Sequence, residues 1–185
     1  EPSRRQRQMC IRDRAKVGDT VSVSFTTSEN LIDTAATISG QNAIITSLSG
    51  NQFVAVYVMD ESDSEGVIEF EISFIDAQGN PLNGNNATTD ASQVVFDKTK
   101  PTLSPVTIIS DNLCSSGSTA KAENIVTINF TSLEPLLSTF AIVMSDTVSV
   151  INEGSNNYSI DYQLTSEDTE GDVSFLIQVT DLAGN

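Results

Sequence analysis

Acidic side chains dominate the chemistry available to this chain. Among 185 residues, 25 are Asp or Glu and 9 are Lys or Arg, with no His and no Trp, for a formal charge of −16. The acids recur at the ends of alternating apolar runs. Asp63, Glu65 and Asp76 stand 105 positions before Asp168, Glu170 and Asp181, and Asp60 and Asp97 extend the first set. A hard cation such as Ca2+ takes six to eight oxygen ligands in flexible loops, so carboxylates joined by backbone carbonyls near a domain junction have suitable chemistry. Asp60, Asp63, Glu65, Asp76, Asp97, Asp168, Glu170 and Asp181 are therefore the candidate metal ligands, and Ca2+ is the candidate cofactor. They form no DxDxDG loop with a glutamate at its twelfth position. Asp76 and Asp181 also have a competing use as turn caps beside Gly79 and Gly184, which tolerate positive φ.

Other chemistry is poorly provided for. Two carboxylates across a sugar cleft hydrolyse glycosides only with suitable separation and a stacking surface. Here Trp is absent, and Phe53, Tyr57, Phe70, Phe74, Tyr158, Tyr162 and Phe175 all fall on the phase expected to face a core. Ser and Thr are abundant, but no His activates a nucleophile, and neither a GxSxG elbow nor a phosphate-cradling glycine loop is present. The chain reads as non-catalytic. Its acidity disfavours nucleic acid, and no apolar run approaches the roughly 20 residues that span a bilayer. Gly79 to Asp90 reads as a long loop, a connector first and a carbohydrate- or protein-binding surface second.

The basic residues are unevenly placed. Residues 1–14 carry five Arg against Glu1 and Asp13, while the remainder carries four Lys against 23 acids. This start lacks the aromatic interleaving of a nucleic-acid arm and the apolar stripe of a membrane-surface helix, and reads as an atypical tail. Cys10 and Cys114 are too few for a disulfide framework or a four-ligand zinc site; a bridge between them is disfavoured, since one lies in the tail and the other in a loop. Asn86, Asn129 and Asn157 begin formal glycosylation sequons.

The elements that must position these residues come in two copies. Residues 15–80 align with 120–185 without a gap, and 19 of the 66 pairs are identical. AKVGDTVSVSFTTSENL returns as AKAENIVTINFTSLEPL, and EGVIEFEISFIDAQGN as EGDVSFLIQVTDLAGN. A repeat this long predicts two tandem domains, each closing its own core. Within each copy the apolar period is two, the spacing of strands. Val21, Val23 and Phe25 answer to Val126, Ile128 and Phe130; Phe53, Ala55, Tyr57 and Met59 to Tyr158, Ile160, Tyr162 and Leu164; Ile68, Phe70, Ile72 and Phe74 to Val173, Phe175, Ile177 and Val179. Ser159, Asp161 and Gln163 mark the solvent face of their strand. Shorter strands are expected at Ala36 to Ser39 and Ala43 to Thr46, a closing strand at Gln93 to Asp97, and an opening strand around Val106 and Ile108. PLNGNNATTDAS, after Asn80, reads as loop by composition.

About seven short strands per copy, with no helical period, predict an all-β chain of two antiparallel sandwiches. The expected organisation is a basic segment at 1–14, a first domain at 15–99, a stiff proline-marked linker at 100–105 and a second domain at 106–185 that lacks its last strand.

AKxGDTVSVSFTTSE, EGVIEFEISFIDAQGN and VVFDKTKPTLSPVTI together resemble the tandem bacterial-type Ig-like repeats of long secreted or surface-anchored proteins. The resemblance covers about residues 15–185, and its best motifs are Asp76 to Asn80, Asp181 to Asn185 and Asp97 to Pro101. It implies tandem immunoglobulin-like sandwiches serving as an extracellular stalk, spacer or adhesin module, with neighbouring repeats as partners and Ca2+ as a stiffening ion. Two other readings stand beside it: a calcium-dependent module for a surface glycan or protein, and a filament subunit joined by strand exchange at an open edge.

Overall fold

The computed structural model describes residues 14–113 and 117–185. Residues 1–13 and both cysteines, with the bridge considered between them, lie outside the described residues. The chain divides into two compact units, Glu1–Lys98 and Thr99–Asn185, and each is a β-sandwich, with a small third sheet of β1, β10 and β7 added in the first.

In the first unit the strands are β1 (Arg14–Ala15), β2 (Thr20–Thr26), β3 (Leu31–Ile38), β4 (Gln41–Asn42), β5 (Ile44–Ser47), β6 (Gln52–Val58), β7 (Gly66–Val67), β8 (Phe70–Asp76), β9 (Pro81–Asn85) and β10 (Val95–Phe96). One sheet runs β2-β6-β5 and the other β4-β3-β8-β9, while β10 joins β7 and pairs in parallel with β1. The second unit holds β11 (Leu103–Ser110), β12 (Ile125–Ser132), β13 (Leu136–Val143), β14 (Asp146–Val148), β15 (Ile151–Gly154), β16 (Asn157–Gln163) and β17 (Phe175–Asp181). Its sheets run β11-β12-β16-β15 and β14-β13-β17. A four-strand sheet of sequential order 1-2-5-4 facing a sheet built on the third and sixth long strands is the immunoglobulin arrangement.

The internal repeat is realised residue for residue. Phe25 pairs with Phe53 across β2 and β6, and Phe130 with Tyr158 across β12 and β16. Both pairs stack, with ring centroids 5.3 and 5.1 Å apart. Each such stack contributes about 0.5–1.5 kcal/mol beyond the area it buries. Ile38 faces Phe70 as Val143 faces Phe175, and the register irregularity at Leu31/Asp33 recurs at Leu136/Ser138. Val21, Ala36, Ile38 and Ala55 are buried in one core; Val126, Ala141, Val143 and Ile160 occupy the matching places in the other.

Several expectations need correction. The segment after Asn80, read as loop, begins with strand β9 on the outer edge of β8. Proline is acceptable there because an edge strand need not donate from its first residue, and Gly84, at φ +76°, lies within the stretch where the β8–β9 register shifts. The short strand expected at Ala36 is the end of the eight-residue β3, whose earlier residues, LIDTA, do not alternate apolar with polar. Ser159 is buried rather than solvent-facing, because its hydroxyl donates to Glu153 Oε1 at 2.7 Å beside β15. Phe175 keeps the inward phase yet is 41% exposed.

These placements predict how truncations divide. Phe130→Ala, which empties a fully buried site, should cost the second unit about 3–5 kcal/mol, whereas Phe140→Ala, half in water, should cost under about 1 kcal/mol. Urea unfolding midpoints at unchanged slope provide the measurement; equal losses would contradict the assigned core.

Candidate functional site

Most of the candidate acids lie near strand ends, and Asp60, Asp63, Asp76, Asp168 and Asp181 are each engaged by their own loop. In the first unit Asp63 is buried, and its Oδ2 accepts the Asp60 backbone N–H at 2.7 Å while Oδ1 accepts the Tyr57 hydroxyl at 3.4 Å. Asp60 Oδ1 accepts the Ser62 backbone N–H and hydroxyl, at 3.0 and 2.8 Å. These bonds, the backbone one foremost, hold the Asp60 carboxyl below its ordinary range. Glu65 accepts the Lys98 backbone N–H at 2.9 Å, and the Lys98 ammonium donates to the carbonyls of Glu61 and Asp63. Asp60, Asp63 and Glu65 thus belong to one loop closed by Lys98. Asp97 pairs instead with Arg14 at 3.3 Å.

The second unit repeats the loop with a stronger tyrosine. Asp168 Oδ2 accepts the Thr165 backbone N–H at 2.7 Å, and Oδ1 accepts the Tyr162 hydroxyl at 2.9 Å. The same hydroxyl reaches Asp146 Oδ2 at 3.0 Å, so one phenolic proton serves carboxylates from two places: strand β14 and the loop after β16. Asp168 is held low, chiefly by the Thr165 N–H. Burial first, then the two carboxylates, push the Tyr162 phenol well above its ordinary value. Glu170 lies beyond this contact, on the rim of an acidic hollow of about 320 Å³ that Glu167, Asp168 and Asp172 also line.

Asp76 and Asp181 close matching turns at the ends of β8 and β17. Asp76 Oδ1 accepts the Gln78 and Asn80 N–H groups, and Oδ2 accepts the Asn80 side-chain amide, at 2.8–2.9 Å. The Asn80 side chain is the largest cause of the lowered Asp76 pKa, followed by the Asn80 backbone N–H. Asp181 Oδ1 accepts the N–H groups of Ala183, Gly184 and Asn185, and Oδ2 accepts the Asn185 side-chain amide at 3.0 Å. Gly79 and Gly184, at φ +88° and +92°, supply the left-handed step that lets the chain fold back onto the carboxylate. The turn-cap reading of these two residues is what the hydrogen bonds display.

One acid outside the candidate set joins it. Carboxylate oxygens of Glu134 and Asp181 lie within 4.8 Å of one another, close enough to share a metal ion. Glu134 repeats Glu29 at the 105-residue spacing, just as Asp181 repeats Asp76, and that double recurrence was the available sequence signal. Elsewhere the polar groups hold loops together. Among the described residues no hydrogen bond pairs a nucleophile with a histidine base, the chain having no His.

No family model matches the chain, and no curated protein does. Solved structures match at low similarity. Fibronectin(III)-like modules of Clostridium thermocellum CbhA are 11% identical, with 93% of this chain and 82% of that one covered at TM-score 0.38. The I9–I11 tandem of titin is 10% identical over 90% of this chain and 57% of that one, at TM-score 0.33. SGBP-B of the Bacteroides ovatus mixed-linkage glucan utilization locus, solved with a mixed-linkage heptasaccharide, is 18% identical over 93% and 39%, at TM-score 0.28. The chain therefore spans less than two thirds of the last two, 57% and 39% of their lengths.

The titrations carry a signed expectation. Asp60, Asp76 and Asp168 have folded pKa values below the ordinary 3.8, so their stabilisation is present above that value and disappears as pH falls through the folded values. Tyr162 is raised above 10.0, so its contribution is complete below pH 10 and disappears as pH rises further. Melting temperatures should decline on both sides, and Tyr162→Phe should flatten the alkaline decline and also soften the acid one, because the same hydroxyl helps hold Asp168 low. A variant whose alkaline limb is unchanged would show that this phenol does not couple the two carboxylates.

Proposed function

We propose that this chain is a stalk or spacer segment of a longer secreted or cell-surface protein, in which the immunoglobulin-like unit is the repeated structural bead. The observation that carries the reading is the doubled core: the same register, the same aromatic stack and the same capped turn occur twice at 105-residue spacing. Selection for a binding surface would leave aromatic or polar groups unmatched on the exterior. Here nine of the eleven Phe and Tyr side chains are buried or half-buried, with Phe140 and Phe175 the exposed pair. The resemblance to tandem Ig-like surface repeats supports the extracellular setting.

A divalent cation, Ca2+ by its oxygen preference, belongs to the same reading. Asp181 Oδ2 accepts one amide at the turn, which leaves lone-pair capacity for a cation that Glu134 shares. A cation there would anchor the end of β17 to the turn before β13 and would offset part of the chain's self-repulsion. The competing reading, calcium-dependent capture of a glycan or protein, would place the contact surface on the Gly79 to Asp90 segment.

Calorimetry with Ca2+ at millimolar concentration should raise the melting temperature, because the ion binds the folded state; a concentration of 100 times Kd corresponds to about 2.7 kcal/mol. Glu134→Gln should remove most of that rise, measured against the variant's own metal-free melt. Unaltered melting with Ca2+ would eliminate the ion. Saturable glycan or protein binding, abolished by substitutions within Gly79 to Asp90, would replace the spacer with the capture module.

A further inference from the structure

We infer that the outer face of the β2-β6-β5 sheet is a contact surface for a second copy of this chain, packed sheet to sheet about a two-fold axis that runs along β6. The pairings fix which side chains share that face. Ser22, Val56 and Ile44 stand in one cross-strand row, Ser24, Val54 and Thr46 in the next, and Thr20 lies opposite Val58. The opposite phase of the same strands belongs to Val23, Ala55 and Ile45, which pack in the first core. Ile44 is 71% and Val58 55% exposed.

The internal repeat shows that the fold does not require this apolar face. Val54, Val56 and Val58 become Ser159, Asp161 and Gln163 at the same register on β16, and Ser22 and Ser24 become Thr127 and Asn129 on β12. There the polar side chains satisfy one another: the Thr127 hydroxyl donates to Asp161 Oδ1, and the Ser159 hydroxyl to Glu153 Oε1, both at 2.7 Å. One sheet position is thus polar and internally bonded in the second unit and aliphatic in the first. A preference of strands for valine applies equally to both units, so it does not account for the difference.

Two observations commit the face to a second copy. No outward side chain of β2, β5 or β6 is charged, in a chain that carries 25 acids. A charged partner would leave its charges desolvated and unpaired on such a face, whereas an identical face brings none. The relief is also self-complementary. β2 presents the small Ser22 and Ser24, β6 a row of valines, and β5 the bulkier Ile44. A two-fold axis along β6 lays β5 of one copy over β2 of the other, so Ile44 comes over Ser22 at the same level, Thr46 over Ser24, and Val56 meets its own equivalent. Aligned sheets that pack in this way interdigitate at a spacing of about 10 Å.

The contact is small. Three strands roughly 4.8 Å apart and some seven residues long cover on the order of 300 Å², and a stable dimer takes about 800 Å² from each partner. The pair is therefore weak, and two chains of charge −16 repel each other outside the contact. Salt screens that repulsion and leaves the uncharged contact intact, so association strengthens as ionic strength rises, the reverse of a contact made through charges. This goes beyond the spacer reading and depends neither on it nor on the cation.

The test uses the whole 185-residue protein. Sedimentation equilibrium up to millimolar protein should give a monomer–dimer equilibrium that tightens as NaCl rises from about 0.1 to about 0.5 M, and Val56→Asp, which supplies the residue found at Asp161, should weaken it about tenfold or more. In a second measurement, with Cys10→Ser and Cys114→Ser as background, Val56→Cys should be joined into dimers by a short bis-maleimide, while Asp161→Cys at the matching position of the second unit should not. A chain that stays monomeric at millimolar concentration would leave the face to some other partner and overturn the assignment. So would a dimer that salt disperses, a dimer that Val56→Asp leaves intact, or equal cross-linking at the two positions.

Discussion

The rest of the molecule depends on the strict two-residue alternation of side chains across two facing sheets. A slip of one residue between β2 and β6 would move Val21, Val23 and Phe25 from the core to water together, so register carries a large free-energy difference and is set cooperatively. That constraint acts on positions rather than on particular residues. Val23 opposite Ala55 in the first unit becomes Ile128 opposite Ile160 in the second, and Met59 becomes Leu164. Side-chain volumes change, yet pairings persist, as expected of cores in which pattern selects the fold and local repacking accommodates size.

How much of this was legible in the sequence varies with the range of the interaction. The alternation and the copy were plain, because period and self-similarity are local properties of the chain; β2, β6, β8 and their partners follow from them. β9 was not plain. Pro81, Asn83, Gly84 and Asn85 have turn composition, and only the neighbouring β8 makes a strand of them. Phe175 was assigned inward from its phase, correctly, but phase carries no information on whether another strand closes over that end of the core. Ser159 was misassigned because the alternation rule assumes an open outer face, whereas β15 and Glu153 cover it.

The acids illustrate a different limit. Asp63 and Asp168 recur because each fastens a loop to a tyrosine six residues earlier, a use that looks like ligand spacing when only carboxylates are tracked. The recurrent Tyr57 and Tyr162 were visible but were assigned wholly to the core, although a buried phenol needs a partner for its hydroxyl. Glu134 escaped notice for the opposite reason. Its repeat partner Glu29 sits in an exposed loop with no apolar phase to mark it, and its closeness to Asp181 arises only when β13 pairs with β17.

The loops also explain how a chain of charge −16 remains folded. Self-repulsion is a diffuse cost spread over the surface, whereas each capped turn is a short-range gain at fixed geometry. Three or more donors converge on Asp76 and on Asp181, so these charges are stabilised by amide dipoles rather than by cations from the few available lysines. Both turns sit at the end of the strand that carries the sheet's long pairing, β8 with β3 and β17 with β13. Anchoring the chain at that point limits fraying into the loop, and it allows the remaining acids to stay hydrated without weakening the register on which both cores rest.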